Sequence, residues 1–283
     1  MDVSTFTSQR RSVATEAGQI GYTEFGEGPA AVFVHGLGTS GLLWRHVIEQ
    51  VRDTSRCIAV DLPVHGGTPA REDMSAGAMA RMVADLCAAL GLGRVDLVGN
   101  DTGGAVAQVL AARHPDLLRS LTLTNCDTEG NFPPAEFVPL VKAAAAGQLV
   151  DALVAMTAAP TQWRATPFAD GYEDPGQIPD EEWADNFAPI GGNIDRARDL
   201  ERMIAALDCD DLAAVSGQLR ALDVPTLLVW GTGYPPFDIT WAYQLRDLIP
   251  GVRELVEVDG ARLFFPEERP EDLIPHLRRH WGR

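Results

Sequence analysis

Residues 95–115, VDLVGNDTGGAVAQVLAARHP, carry the pattern that decides the fold. An apolar run at 95–98 reads as a buried strand and meets Gly99-Asn100-Asp101-Thr102-Gly103. From 103 to 114 the pattern is helical, and Pro115 stops it. Strand, glycine turn and helix in this order put Asp101 at the apex of a sharp turn. Glycines two before and two after it let the strand and helix backbones approach closely. The Asp101 side chain is thereby raised above the sheet at a helix N-terminus. Unpaired N–H groups and the helix dipole there favour the ionised carboxylate, exposed as a nucleophile or base. A short aspartate turn capping a helix gives the same five residues, so the flanking sequence has to decide between the two.

Outward from the turn, short β-branched runs alternate with helical patterns, the signature of a largely parallel sheet covered by helices. Before it come a hairpin at 11–16 and 19–25, a buried strand at 30–34, a helix at 41–51, a strand at 57–60 and a helix at 75–90. After it, 121–124 is a strand. Between 131 and 222 strand signals vanish, and short amphipathic helices are separated by Pro, Gly and acidic loops. Strands resume at 226–230 and 255–258, with helices at 241–248 and 270–280. The expected organisation is a core of 1–130 and 223–283 interrupted by a helical cap at 131–222.

HGLG at 35–38, DLPVHG at 61–66 and GNDTGG at 99–104 each stand at an expected strand end. In this order they resemble the α/β-hydrolase superfamily, with 99–103 as its nucleophile elbow. The resemblance implies an α/β-hydrolase fold: a mostly parallel sheet, helices on both faces and an inserted helical cap. It also implies that Thr102 and Leu37 donate the two N–H groups of an oxyanion hole. An aspartate at the elbow is similar to the branch of haloalkane dehalogenases and epoxide hydrolases. There the carboxylate attacks carbon, and a histidine-activated water hydrolyses the resulting ester.

Departures from that branch are as informative. In DGARLFFPEERP at 259–270, Leu263 stands where the resemblance requires the histidine, with Arg262 just before it; leucine cannot relay a proton. In WGTGYPPFD at 230–238, Gly233 and Tyr234 occupy the place of the orienting acid. Asp127 is the alternative acid position after the preceding strand. Thr102 and Leu37 are not halide donors, and Tyr172 is the one tyrosine of the cap available to an epoxide oxygen. His35, His46, His65, His114, His276 and His280 read as structural, with His65 the one that most needs to be located.

A net charge of −17 disfavours nucleic acid and anionic membranes as partners. With 46% hydrophobic and 22% charged residues the chain reads as a globular enzyme-like domain without a signal sequence, expected in the cytoplasm. Cys57, Cys87, Cys126 and Cys209 show no metal-ligand or disulfide spacing, and no motif implies a metal or cofactor. Aromatic residues of the cap suit an apolar, polycyclic or aromatic small molecule. The expected pocket comprises Gly36, Gly38, Asn100, Asp127, Phe132, Trp163, Tyr234 and Leu263, with Arg164 and Arg262 as further candidates for binding an oxygen. Three functions stay open: Asp101 as base or acid in a non-hydrolytic step, an epoxide-type hydrolase with Asp101 as nucleophile, and a catalytically silent binding protein.

Overall fold

The computed structural model describes residues 1–16 and 18–283. Eight strands form one sheet: β1 (Arg10–Thr15), β2 (Gly18–Phe25), β3 (Ala30–Val34), β4 (Arg56–Val60), β5 (Val95–Asp101), β6 (Leu118–Cys126), β7 (Thr226–Gly231) and β8 (Val252–Val258). Their order is β1-β2-β4-β3-β5-β6-β7-β8. β2 runs antiparallel to β1 and β4, and every other pairing is parallel. The interior strands read as continuous apolar runs because both of their faces are covered. Val32, Phe33, Val34, Val98, Leu121, Leu123 and Leu228 have no exposed surface, and each such side chain contributes about 1.5–3 kcal/mol by leaving water.

The core helices are α1 (Val3–Thr7), α2 (Arg45–Val51), α3 (Ala76–Ala89) and α4 (Thr102–Arg113). Between β6 and β7 come α5 (Val138–Ala145), α6 (Val150–Ala158), α7 (Asp180–Phe187), α8 (Ile194–Ala205) and α9 (Asp210–Leu219). The chain closes with α10 (Ile239–Leu248), α11 (Phe265–Glu268) and α12 (Ile274–Trp281). α4 packs on β5 and β6 and against α3 and α9, while α2 meets α11 and α12. The segment between β6 and β7, among the described residues, holds helices and turns and no strand. Phe264 N–H donates to the Gly171 carbonyl at 2.9 Å, and Ser40 Oγ to Asn186 Oδ1 at 2.8 Å, so this cap is tied to the core at two separate places.

Three local features differ from the sequence reading. α1 was not expected; at five residues it is too short to show periodicity, and it exists because Phe6 is fully buried and Asp2 caps Thr5 N–H at 2.6 Å. The helix expected at 41–51 begins as a 3₁₀ turn, Gly41–Trp44, capped by Ser40. The last helix is divided into a 3₁₀ turn, Pro270–Asp272, and α12, because Pro275 lacks the N–H needed to continue a helix through that point. No single helix among the described residues is long and apolar enough to cross a membrane; α5 and α6 reach such length and composition only together with their 3₁₀ lead-in, across a 109° bend.

Candidate active site

Asp101 is the last residue of β5 and has φ 55° and ψ −133°, a conformation an L-residue adopts only when its surroundings dictate it. The glycines make the turn possible. A Cβ on Gly99 would lie 2.6 Å from the Gly103 carbonyl oxygen, and one on Gly103 would collide with the Val34 and His35 carbonyls. A Cβ on Gly36 would strike the Asp101 carboxylate itself, so the loop after β3 lies directly against it. Leu37 N–H donates to Asp101 Oδ2 at 3.1 Å. One of the two N–H groups anticipated as an oxyanion hole, that of Leu37, therefore holds an oxygen of Asp101.

The expectation that a helix N-terminus keeps Asp101 fully ionised needs correction. Only 9% of the residue is exposed. Burial pushes the carboxyl up to about 7, against the opposing pull of the Leu37 and Thr102 N–H groups. Desolvation outweighs the backbone donors here. The group is thus poised near neutrality, where a carboxyl both gives and takes protons readily.

A register shift brings a second carboxyl to the site. Asn100 pairs with Thr124 but Asp101 pairs with Cys126, leaving Asn125 as an extra residue in β6. The Asn125 side chain turns to β7, accepting from Gly231 N–H at 2.6 Å and donating to the Gly231 carbonyl at 2.9 Å. Asp127 follows at once. It is 2% exposed, its N–H lies 3.4 Å from the Asp101 carbonyl oxygen, and one carboxyl oxygen has no hydrogen-bond partner. Burial first, and the Asp101 charge second, push its pKa well above the usual carboxylate range; the Thr102 side chain faces it and opposes this. Two buried carboxyls that feel each other titrate as a pair, and burial raises both.

Asn100 has no exposed surface. Its amide donates to Thr124 Oγ1 at 3.0 Å and to the Leu263 carbonyl at 2.9 Å. It acts as a tie between the elbow, β6 and the 259–264 loop, and this tie brings buried Leu263 beside the elbow. The role of Asn125 was missed by sequence reasoning; its signal was a lone amide next to the end of a buried strand, in TLTNCD.

His65 is buried, and both its ring nitrogens are engaged by the backbone. Nδ1 donates to the Pro63 carbonyl at 2.9 Å and Nε2 accepts from Gly38 N–H at 3.0 Å. His35 repeats the arrangement, with Nδ1 on the Gly36 carbonyl at 2.7 Å and Nε2 accepting from Leu62 N–H at 3.0 Å. Burial holds His65 down to about 3 and His35 to about 4, so both are neutral Nδ1–H tautomers that brace the Gly36–Gly38 backbone. Neighbouring Val64 is a β-branched residue at φ 71°, held there by the turn bond from its N–H to the Thr68 carbonyl at 3.0 Å. Among the described residues, no histidine forms a hydrogen bond or ion pair with Asp101.

The aromatic residues of the cap divide into two kinds. Trp163 stacks on Phe187 with centroids 4.1 Å apart and meets Phe168 edge-on at 5.6 Å, an arrangement that packs the cap internally. Phe168 continues the cluster down to the core, 5.4 Å from Phe264 and with its ring against Gly38. Phe132 is also buried. Tyr172 lies 4.6 Å from Phe264 and feels the charges of Glu182 and Glu267, not that of Asp101. Tyr234 is the tyrosine that senses Asp101: burial and then the Asp101 charge hold its phenol above the usual range. Arg164 binds the Pro175 and Ile178 carbonyls and pairs with Asp180, and Arg262 donates to the Asp170 carbonyl at 2.9 Å, so both serve as ties within or onto the cap.

Beside the cap a second charged cluster is buried. Arg45 of α2 meets Glu182 of α7 at 2.7 Å and Glu267 of α11 at 2.5 Å, all three almost without exposure. A surface groove of about 610 Å³, lined by Gln19, Pro69, Arg71, Asp73, Met82 and His114 among others, contains neither Asp101 nor any residue expected to line its pocket. Among the described residues no group of three His, Cys, Asp or Glu side chains is placed to hold a metal.

Sheet order, elbow, donor loop and helical insertion together define an α/β-hydrolase architecture with an aspartate at the elbow. Residues 29–269 match the α/β hydrolase fold family, and the chain belongs to it. A pimeloyl-[acyl-carrier protein] methyl ester esterase of Chromobacterium violaceum is 44% identical over 99 residues, which is 35% of this chain and only 37% of that protein. Haloalkane dehalogenase 2 of Mycobacterium tuberculosis is 24% identical over 302 aligned positions, covering 99% of this chain and 98% of the relative. Among solved structures, the epoxide hydrolase CorEH superposes with a TM-score of 0.77 at 20% identity, covering 96% of this chain and 98% of its own. An esterase from Thermogutta terrifontis superposes with a TM-score of 0.73 at 21% identity, covering 97% and 98%. At these identities the superpositions speak for the fold.

Proposed function

We propose that the protein is a non-hydrolytic enzyme in which Asp101 is the general base or acid for an apolar small molecule, in a cyclisation, addition, isomerisation or elimination of small-molecule biosynthesis. The observation that carries this reading is the engagement of both ring nitrogens of His35 and of His65 by the backbone. Neither imidazole is free to take a proton from a water beside Asp101, and Leu263 stands at the position where the resemblance requires a histidine. An ester formed on Asp101 would have no histidine among the described residues to open it. A buried carboxyl poised near 7 suits proton transfer without such a partner. In this scheme Asp101 removes a proton from a C–H or O–H of the substrate and returns it to another atom of the same molecule or to its product.

A probe of base strength in a dry pocket tests the reading. With 5-nitrobenzisoxazole, ring opening by proton abstraction should follow Asp101. Asp101→Asn is expected to lower the rate about 10²–10⁴-fold, and the wild-type rate should rise with pH through about 7 as the carboxyl ionises. Styrene oxide should give no diol at an enzymatic rate. Ring opening indifferent to Asp101→Asn, or rapid diol formation, would overturn the proposal, and the latter would restore the epoxide hydrolase reading.

A further inference from the structure

We infer that Asn100 is a positioning residue for Asp101, and that a single peptide group, the one joining Leu263 to Phe264, carries the position of the cap to it. The carbonyl of that group accepts from Asn100 Nδ2 at 2.9 Å, and its N–H donates to the Gly171 carbonyl at 2.9 Å. A peptide group is planar and stiff, and when trans it directs C=O and N–H to opposite sides. The elbow and the cap are therefore joined through one rigid body. Both ends of it are firmly seated. Asn100 has no exposed surface, and its Nδ2 faces the Leu263 carbonyl, Thr124 Oγ1 at 3.0 Å and the Asn125 carbonyl at 3.4 Å, while its Oδ1 has no partner among the described residues. Carbonyl oxygens only accept, so this amide is held by its NH₂ side in one orientation. At the other end the Phe264 ring is buried, with centroids 4.6 Å from Tyr172 and 5.4 Å from Phe168, and a Cβ on Gly171 would lie 2.5 Å from its Cε2. Phe264 and this part of the cap shift together.

What sets this tie apart is where it ends. The pairs Arg45–Glu182 and Arg10–Asp185, and the bond from Arg202 to the Arg71 carbonyl, join the cap to α2, to β1 and to the loop at 71–72. The Leu263–Phe264 group instead ends on the residue that precedes Asp101. Asp101 has a φ of 55°, which persists only because its surroundings hold it there. Its Oδ2 accepts from Leu37 N–H at 3.1 Å. A shift of the cap at Gly171 turns the peptide plane, moves Asn100, and so changes how the Asp101 carboxylate meets that N–H. Coupling of this kind runs through contiguous hydrogen bonds and a stiff element, and here every link has a measured distance.

The Leu37 amide reports on this coupling. In the isotope-labelled full chain, followed by NMR, its proton signal should move with pH as Asp101 ionises, with a midpoint of about 7, and should stay still in Asp101→Asn. Asn100→Ala and Gly171→Ala are each expected to reduce that movement about twofold, and the double variant to match Asn100→Ala alone, because both cut the same connection. Arg202→Ala, which cuts a cap tie that ends elsewhere, should leave it unchanged. If Asn100→Ala fails to fold, the comparison of Gly171→Ala with Arg202→Ala decides alone. An unchanged Leu37 titration in Gly171→Ala, full additivity in the double variant, or an equal effect of Arg202→Ala overturns the inference. So does a wild-type Leu37 amide that ignores Asp101. Because the readout is a titration and not turnover, a proton-abstraction rate indifferent to Asp101 would sink the catalytic reading and leave this test standing.

Discussion

Both the elbow and the junction between cap and core bury acidic side chains, but they compensate them differently. At the junction Arg45 stands between Glu182 and Glu267 and joins α2, α7 and α11. At the elbow Asp101 and Asp127 have N–H donors and a threonine but no cation among the described residues. Burying a charge beside an opposite one serves to hold segments together, and removing one partner is then strongly destabilising. Burying two carboxyls with no cation does nothing for stability, and groups shifted in this way cluster where chemistry is done. Arrangements that look alike by composition thus indicate opposite roles.

The largest expected effect breaks the junction. Arg45→Met should cost about 3–5 kcal/mol in urea unfolding at neutral pH, because two buried carboxyls lose their only close guanidinium. The loss should grow as pH rises and both acids ionise. A loss below about 1 kcal/mol would mean that the junction holds nothing. The elbow should respond in the opposite direction. Asp101 is pushed to about 7 in the folded protein, from 3.8 when free of it, so its folding contribution is fully present below about pH 4 and is lost as pH rises through 7. Asparagine has no such loss. Asp101→Asn should therefore be more stable than wild type at pH 8, by on the order of 4 kcal/mol at most, with the gap closing toward pH 4. Coincident melting curves at pH 8 would contradict the comparison.

The smallest effect sharpens it. Two glutamates share one arginine, and burial followed by the Glu182 charge pushes Glu267 well above the usual carboxylate range, the direction that favours its protonated form. Glu267→Gln is then nearly isosteric with what it replaces and should cost less than about 1 kcal/mol at pH 7 in the same unfolding assay. A cost of several kcal/mol would show that Glu267 is ionised and that the junction runs as a fully charged triad.

The sheet was legible because its interior strands such as β3 and β7 are mostly apolar and because glycine and aspartate mark the elbow. Local signals reach that far. Arg45, Glu182 and Glu267 lie far apart in the sequence and meet only through the tertiary fold. Asp101 was legible as the apex of the elbow turn, but its burial was not: the capping geometry was visible, whereas the loop at Gly36 that lies against the carboxylate comes from elsewhere in the fold. Asn125 shows the same limit, since one extra residue in β6 re-aims it and no periodicity announces that shift. Tyr172 and Tyr234 were both candidates, and only the placement of their loops shows which one feels Asp101.

Phe168 lies on Gly38, and the Gly171 carbonyl takes the Phe264 N–H, so the cap rests on the same loops that shape the elbow. A ligand taken up beside Asp101 would have to part some of that contact. Association is then paced by how often the cap lifts and not by how often molecules collide with it. Observed binding rates should level off at high ligand concentration, and the plateau should be the same for ligands of different affinity.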